Sequence, residues 1–61
     1  MAWRWRDDLG LTGRWFLDPA SARADAVRRE RRGLPVAEAD QAELLWRSLE
    51  RTGYRIEEGR P

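Results

Sequence analysis

Apolar and charged residues alternate strictly near the start of the chain, over Trp3-Arg4-Trp5-Arg6. A period of two marks a half-buried strand. It turns Trp3 and Trp5 toward a core and Arg4 and Arg6 outward. The next seven residues, Asp7-Asp8-Leu9-Gly10-Leu11-Thr12-Gly13, concentrate aspartate and glycine and read as a turn. Arg14-Trp15-Phe16-Leu17 is a second β-prone run. Residues 3–17 therefore predict a hairpin whose loop, about six residues, is longer than the tight two-residue type.

The period then changes. Asp18-Pro19 is a helix start: the carboxylate can accept from free N–H groups, and proline suits the first turn. A helix is predicted over 20–32, with a thin apolar face of Ala20, Ala24 and Val27 and with Gly33 as its stop. Arg28, Arg29, Arg31 and Arg32 fall where the helix dipole favours positive charge. Leu34-Pro35 breaks the chain. A second helix is predicted from residue 36 or 37 to residue 52, ended by Gly53. Ala42, Leu45, Trp46 and Leu49 share one face of it; Asp40, Glu43, Arg47, Glu50 and Arg51 share the other. Glu43 stands four residues before Arg47, the favourable orientation for a helical ion pair, although exposed pairs give only about 0.3–0.5 kcal/mol.

Residues 54–57, Tyr-Arg-Ile-Glu, alternate again and predict a short final strand that adds Tyr54 and Ile56 to the core. Residues 57–61 read as a flexible tail. The expected fold is a single α+β domain over 1–61 of order ββααβ: an N-terminal hairpin, two helices and a short C-terminal strand. Three strands covered on one face by two helices is the simplest packing. The competing arrangement is a small helical bundle with the N-terminal aromatic segment packed irregularly.

Composition narrows the function. A 61-residue chain buries only about 60% of its unfolded surface, and one small core supplies roughly 3–5 kcal/mol. Cysteine, histidine and lysine are all absent. The usual nucleophiles, general bases and metal ligands are thereby missing, and Ser21 and Ser48 have no base to activate them. The carboxylate pairs Asp7-Asp8 and Glu57-Glu58 fit no ligand-spaced motif and read as solvated turn and tail charges. The expectation is a protein that is not an enzyme, with no cofactor, no metal site and no small-molecule substrate. A catalytic role survives only for a subunit that completes another chain's active site. No apolar run exceeds three residues, whereas a membrane span needs about 20. The N-terminal residues do not resemble a secretory signal. These features predict a cytoplasmic protein with no membrane partner.

Three features bear on binding. All 12 basic residues are arginine, against 11 acids. Residues 1–33 hold eight arginines and five acids, and residues 34–61 hold four arginines and six acids. The basic helix, through Arg23, Arg28, Arg29, Arg31 and Arg32, could lie on phosphates. The plainer reading pairs it with its own dipole and with the acidic second helix, and a net charge of +1 is low for a nucleic-acid binder. Four tryptophans are either core or anchors, since tryptophan and arginine are the commonest hot-spot residues. Leu44 falls on the charged face of the second helix. The sequence thus predicts a small protein-interaction module of bacterial or phage type, a regulator, adaptor or minor subunit. It would dock on a protein partner, or self-associate, through Trp3, Trp5, Trp15, Leu44 and Trp46, with Arg4, Arg6 and Arg14 as polar rim. The alternative is a nucleic-acid-binding regulator using the arginine helix.

Overall fold

The alternating Trp-Arg segment forms the first strand, β1 (Ala2–Arg6). The computed structural model describes residues 1–31 and 39–60. In it β1 runs antiparallel to β2 (Arg55–Gly59), with Trp3 opposite Glu58, Arg4 opposite Glu57 and Trp5 opposite Ile56. Two helices, α1 (Pro19–Glu30) and α2 (Ala39–Arg51), lie between them in the order β1-α1-α2-β2. The fold is a small α+β domain, as the hydrophobic pattern predicts.

The predicted hairpin is modified. Residues 12–16 return along the free edge of β1 but pair with it as isolated bridges, Trp3 with Phe16 and Arg6 with Thr12. Three steps along β1 are matched by four along the returning segment. One extra residue therefore bulges out between the bridges and prevents a continuous ladder, so residues 14–17 do not become a strand. Gly13 lies in this stretch and donates its N–H to the Trp5 carbonyl at 3.1 Å.

α1 begins as expected. The Asp18 carboxylate accepts from the Ser21 N–H at 2.7 Å and from the Ser21 hydroxyl at 2.9 Å. These bonds, the backbone one first, hold its carboxyl below the usual carboxylate range. The helix stops at Glu30, with Arg31 as its cap, short of the predicted 32. Its buried face is Ala22, Ala26 and Val27, not Ala20, Ala24 and Val27; Ala20 is exposed and Ala24 half-buried. The rotation has a polar cause. It brings Asp25 to the indole N–H of Trp5 at 2.8 Å and Arg29, one turn on, over the Trp5 ring at 4.9 Å.

α2 presents the predicted face: Trp46 is buried and Ala42, Leu45 and Leu49 are half-buried. Glu43 bonds across to Arg23 of α1 at 3.0 Å rather than along the helix to Arg47. The predicted start at 36 or 37, the break at Leu34-Pro35 and the stop at Gly33 lie outside the described residues. Gly53 ends the helix with φ +111°, a left-handed conformation that glycine adopts without a Cβ penalty. The Tyr54 N–H then closes onto the Leu49 carbonyl at 3.1 Å, aiming the chain straight into β2. Trp5, Ala26, Val27, Trp46 and Tyr54 form the core, with Leu45, Leu49 and Ile56 against it.

β2 continues through Gly59, so 57–59 of the expected tail over 57–61 are strand instead, and Pro61 lies outside the described residues. Charge holds it: Glu57 binds Arg4 at 3.2 Å, and Glu58 accepts from the Trp3 indole at 3.2 Å. Among the described residues, no helix is long and apolar enough to cross a membrane.

Candidate functional site

Strand alternation divides the sheet into two faces. Trp3, Trp5, Ile56 and Glu58 point to one; Ala2, Arg4, Arg6, Arg55, Glu57 and Gly59 point to the other. The helices cover the first, where Trp5 and Ile56 meet Ala26, Val27 and Trp46. Among the described residues, no helix packs on the second. Trp15 crosses onto it from the bulged segment. A Cβ on Gly59 would lie 2.9 Å from the tip of the Trp15 ring, so the indole rests directly on that glycine. Ala2, opposite Gly59, is 2% exposed although it faces away from the helices; the indole is the large side chain at that end.

The Arg4 guanidinium stacks on Trp15, 4.4 Å from the ring centre. Glu57 joins Arg4 to Arg6, at 3.2 and 3.5 Å. Arg6 stands directly opposite Arg55, and both line an open cleft of about 670 Å³ with Asp7, Asp8 and Glu57. The helix-free face is therefore one half-buried indole flanked by three arginines and one glutamate. It holds hydrogen-bond donors, a cationic fringe and an aromatic plate, which is the chemistry of recognition.

The other predicted anchors lie elsewhere. Trp5 and Trp46 are core residues, each 5% exposed. Trp3 is half-buried on the helical side of the sheet, opposite Phe16, and Arg14 stacks on Phe16 at 4.9 Å. Leu44 is 64% exposed on α2, beside a shallow groove of about 270 Å³ that Arg31, Gln41 and Leu45 also line. Of the predicted set, the structure brings together Arg4, Arg6 and Trp15.

The arginine helix is largely engaged within the fold. Arg23 pairs with Glu43, and Arg28 with Asp25 at 3.5 Å. The Arg31 Nε is buried without a hydrogen-bond partner among the described residues, and Arg32 lies outside them. Arg29 turns inward. Its Nη1 donates to the Tyr54 hydroxyl at 2.7 Å and faces the Asp7 carboxylate at 3.6 Å. Asp7 is no solvated turn charge: it is 7% exposed and accepts the N–H groups of Leu9 and Leu11 at 2.9 and 2.8 Å. An aspartate followed by turn residues is a signal for such local capping. Nothing local in the sequence joins it to Arg29, 22 residues on.

Tyr54 completes this network by donating its hydroxyl to Glu30. Burial, and then that bond to a carboxylate, push the hydroxyl up from 10 to about 12. The folded state thus keeps a proton that the unfolded chain releases near pH 10. Tyr54's contribution is fully present below pH 10 and is lost between pH 10 and about 12. A rise of that size corresponds to about 2–3 kcal/mol. Urea midpoints should fall across that window, and Tyr54→Phe should remove much of the fall. A midpoint as steep in pH for Tyr54→Phe as for wild type would exclude the hydroxyl as its source.

No protein-family model matches the chain, and neither a curated protein nor a solved structure does.

Proposed function

We propose that this chain is a small, cytoplasmic, non-enzymatic interaction module that docks on a larger protein as a regulator, adaptor or minor subunit. The observation that carries this reading is the Arg4–Trp15 stack on the sheet face that, among the described residues, no helix covers. Tryptophan and arginine dominate binding energy at protein interfaces when they are held centrally and desolvated on contact. Here the indole is already fixed, by Gly59 beneath it and Arg4 above it. Little rotamer entropy is then lost on docking. Three arginines against one glutamate favour a partner surface that offers carboxylates around an apolar ridge.

The test is capture by the tagged full chain from its native cell extract, with and without nuclease, read by mass spectrometry. One stoichiometric protein should survive nuclease. Trp15→Ala should weaken its capture by about 30-fold, the effect of a hot spot near 2 kcal/mol. Arg6→Glu, at an exposed rim position, should weaken it with the fold intact by circular dichroism. Recovery that collapses with nuclease would move the function to the arginine helix. Capture indifferent to both substitutions would sink the helix-free face as the docking site.

A further inference from the structure

Backbone hydrogen bonds decide which way each residue of the sheet points its N–H and C=O groups. Trp3 exchanges both bonds with Phe16, at 2.8 and 2.7 Å, and the Trp5 carbonyl accepts from Gly13. The backbone groups of Trp3 and Trp5 therefore point toward the returning segment. Those of Ala2, Arg4 and Arg6 point the other way, toward β2. In an antiparallel pair, hydrogen-bonded and non-hydrogen-bonded positions alternate. Gly59, Glu57 and Arg55 are then the bonded partners on β2. Ile56 and Glu58 present their N–H and C=O groups to the outer edge. Among the described residues no hydrogen bond reaches those groups. An edge of this kind is a template for another strand.

From this we infer that β2 pairs antiparallel with β2 of a second copy, centred on Ile56. Charge selects both the direction and the register. A parallel pairing sets like charges side by side. An antiparallel pairing centred on Glu57 sets that carboxylate against itself, and like charges directly opposite are destabilising. Centring on Ile56 puts Arg55 opposite the partner's Glu57, twice by symmetry, and Ile56 opposite its own copy. The bonding pattern agrees. Ile56 with its copy becomes a hydrogen-bonded pair. Arg55 with the partner's Glu57 becomes a non-bonded pair, the kind in which side chains stand closest. The two-fold symmetry closes, so pairing stops at two copies. The charges that repel a wrong strand along this edge are the ones that fit the second copy. The pairing edge borders the helix-free face and shares Arg55 and Glu57 with it, but the inference rests on the open backbone edge and does not depend on the docking reading.

Sedimentation equilibrium of the full chain, up to about 1 mM, tests it alongside amide exchange. A concentration-dependent dimer is expected, with the Ile56 and Glu58 amides slowing as dimer forms. Arg55→Glu should weaken the dimer about 10-fold or more; Arg55 has no ion pair among the described residues, so the fold should not suffer. Glu57→Arg should do the same, and an equimolar mixture of the two variants should form heterodimer at wild-type strength. Glu58→Pro, at an exposed position, removes an N–H that the β1 ladder does not use and keeps the inference falsifiable if Glu57→Arg misfolds, because Glu57 also holds Arg4 and Arg6. A monomer at every concentration overturns the inference. So does a dimer that neither protects the Ile56 and Glu58 amides nor responds to Arg55→Glu and Glu58→Pro.

Discussion

Gly13→Ala is expected to unfold most of the protein at room temperature, an effect as large as truncating a core tryptophan. Gly13 sits in a loop and is half-exposed, yet its α-carbon is pressed against the Trp5 indole. A Cβ there would fall 2.7 Å from Cδ1 and 2.5 Å from Cε2 of that ring, and nearer still to Nε1. The indole has no room to retreat. Its Nε1 is bonded to Asp25, Arg29 lies over the ring, and Tyr54 stands 5.8 Å away. If the loop gives way instead, it loses the Gly13 N–H bond to Trp5 and strains the Arg6–Thr12 bridge. Overpacking costs about 1–3 kcal/mol or more, and expelling a tryptophan costs about 3–5 kcal/mol. Either is comparable with the roughly 3–5 kcal/mol that a core of this size supplies. Urea unfolding followed by tryptophan fluorescence and circular dichroism reads the loss directly. Thr12→Ala, one residue away and exposed, should stay within about 0.5 kcal/mol of wild type. A Gly13→Ala midpoint equal to that of wild type would mean that the loop does not lie against Trp5.

The same contact explains what the sequence could and could not disclose. β1 and α2 are legible because their apolar residues are large and periodic, so period two or 3.6 selects one face. α1 is not. Ala20, Ala22, Ala24 and Ala26 are alike to any pattern argument, and apolar periodicity selects Ala20 and Ala24 where the fold buries Ala22 and Ala26. Asp25 and Arg29 set the rotation by reaching Trp5, 20 and 24 residues away in the chain. The bulge over residues 12–16 was equally hidden. A slip of one residue changes no residue type, and it becomes visible only when two bridges fix the register. β2 reads short in the sequence because Glu57 and Glu58 look like solvent charges; they are held by Arg4 and Trp3 of the opposite strand. The candidate surface suffered the same limit. Four tryptophans are equivalent as anchors in sequence, and the fold sends Trp5 and Trp46 inward and Trp15 to the far side of the sheet.

Arg29→Leu is the second substitution expected to cost heavily, about 2–3 kcal/mol. One guanidinium serves the loop, the core and the residue that leads into β2 at once. It neutralises Asp7, bonds the Tyr54 hydroxyl and stacks on Trp5. Removing one partner of a buried ion pair typically costs about 3–5 kcal/mol, because the remaining charge stays desolvated. The effect here belongs below that range. Asp7 keeps its two backbone donors, the contact is 3.6 Å, and the Arg29 side chain is 33% exposed. Arg29→Lys should recover part of the loss, since it restores the charge but not the flat group that bonds and stacks together. The decisive comparison is a double-mutant cycle with Asp7→Asn. With the carboxylate neutralised, Arg29→Leu should cost less by about 1 kcal/mol, the coupling expected of groups in one network. An unchanged cost in the Asp7→Asn background would show that Arg29 stabilises the fold through Trp5, Tyr54 and Glu30, and that the buried loop carboxylate is held by its own backbone.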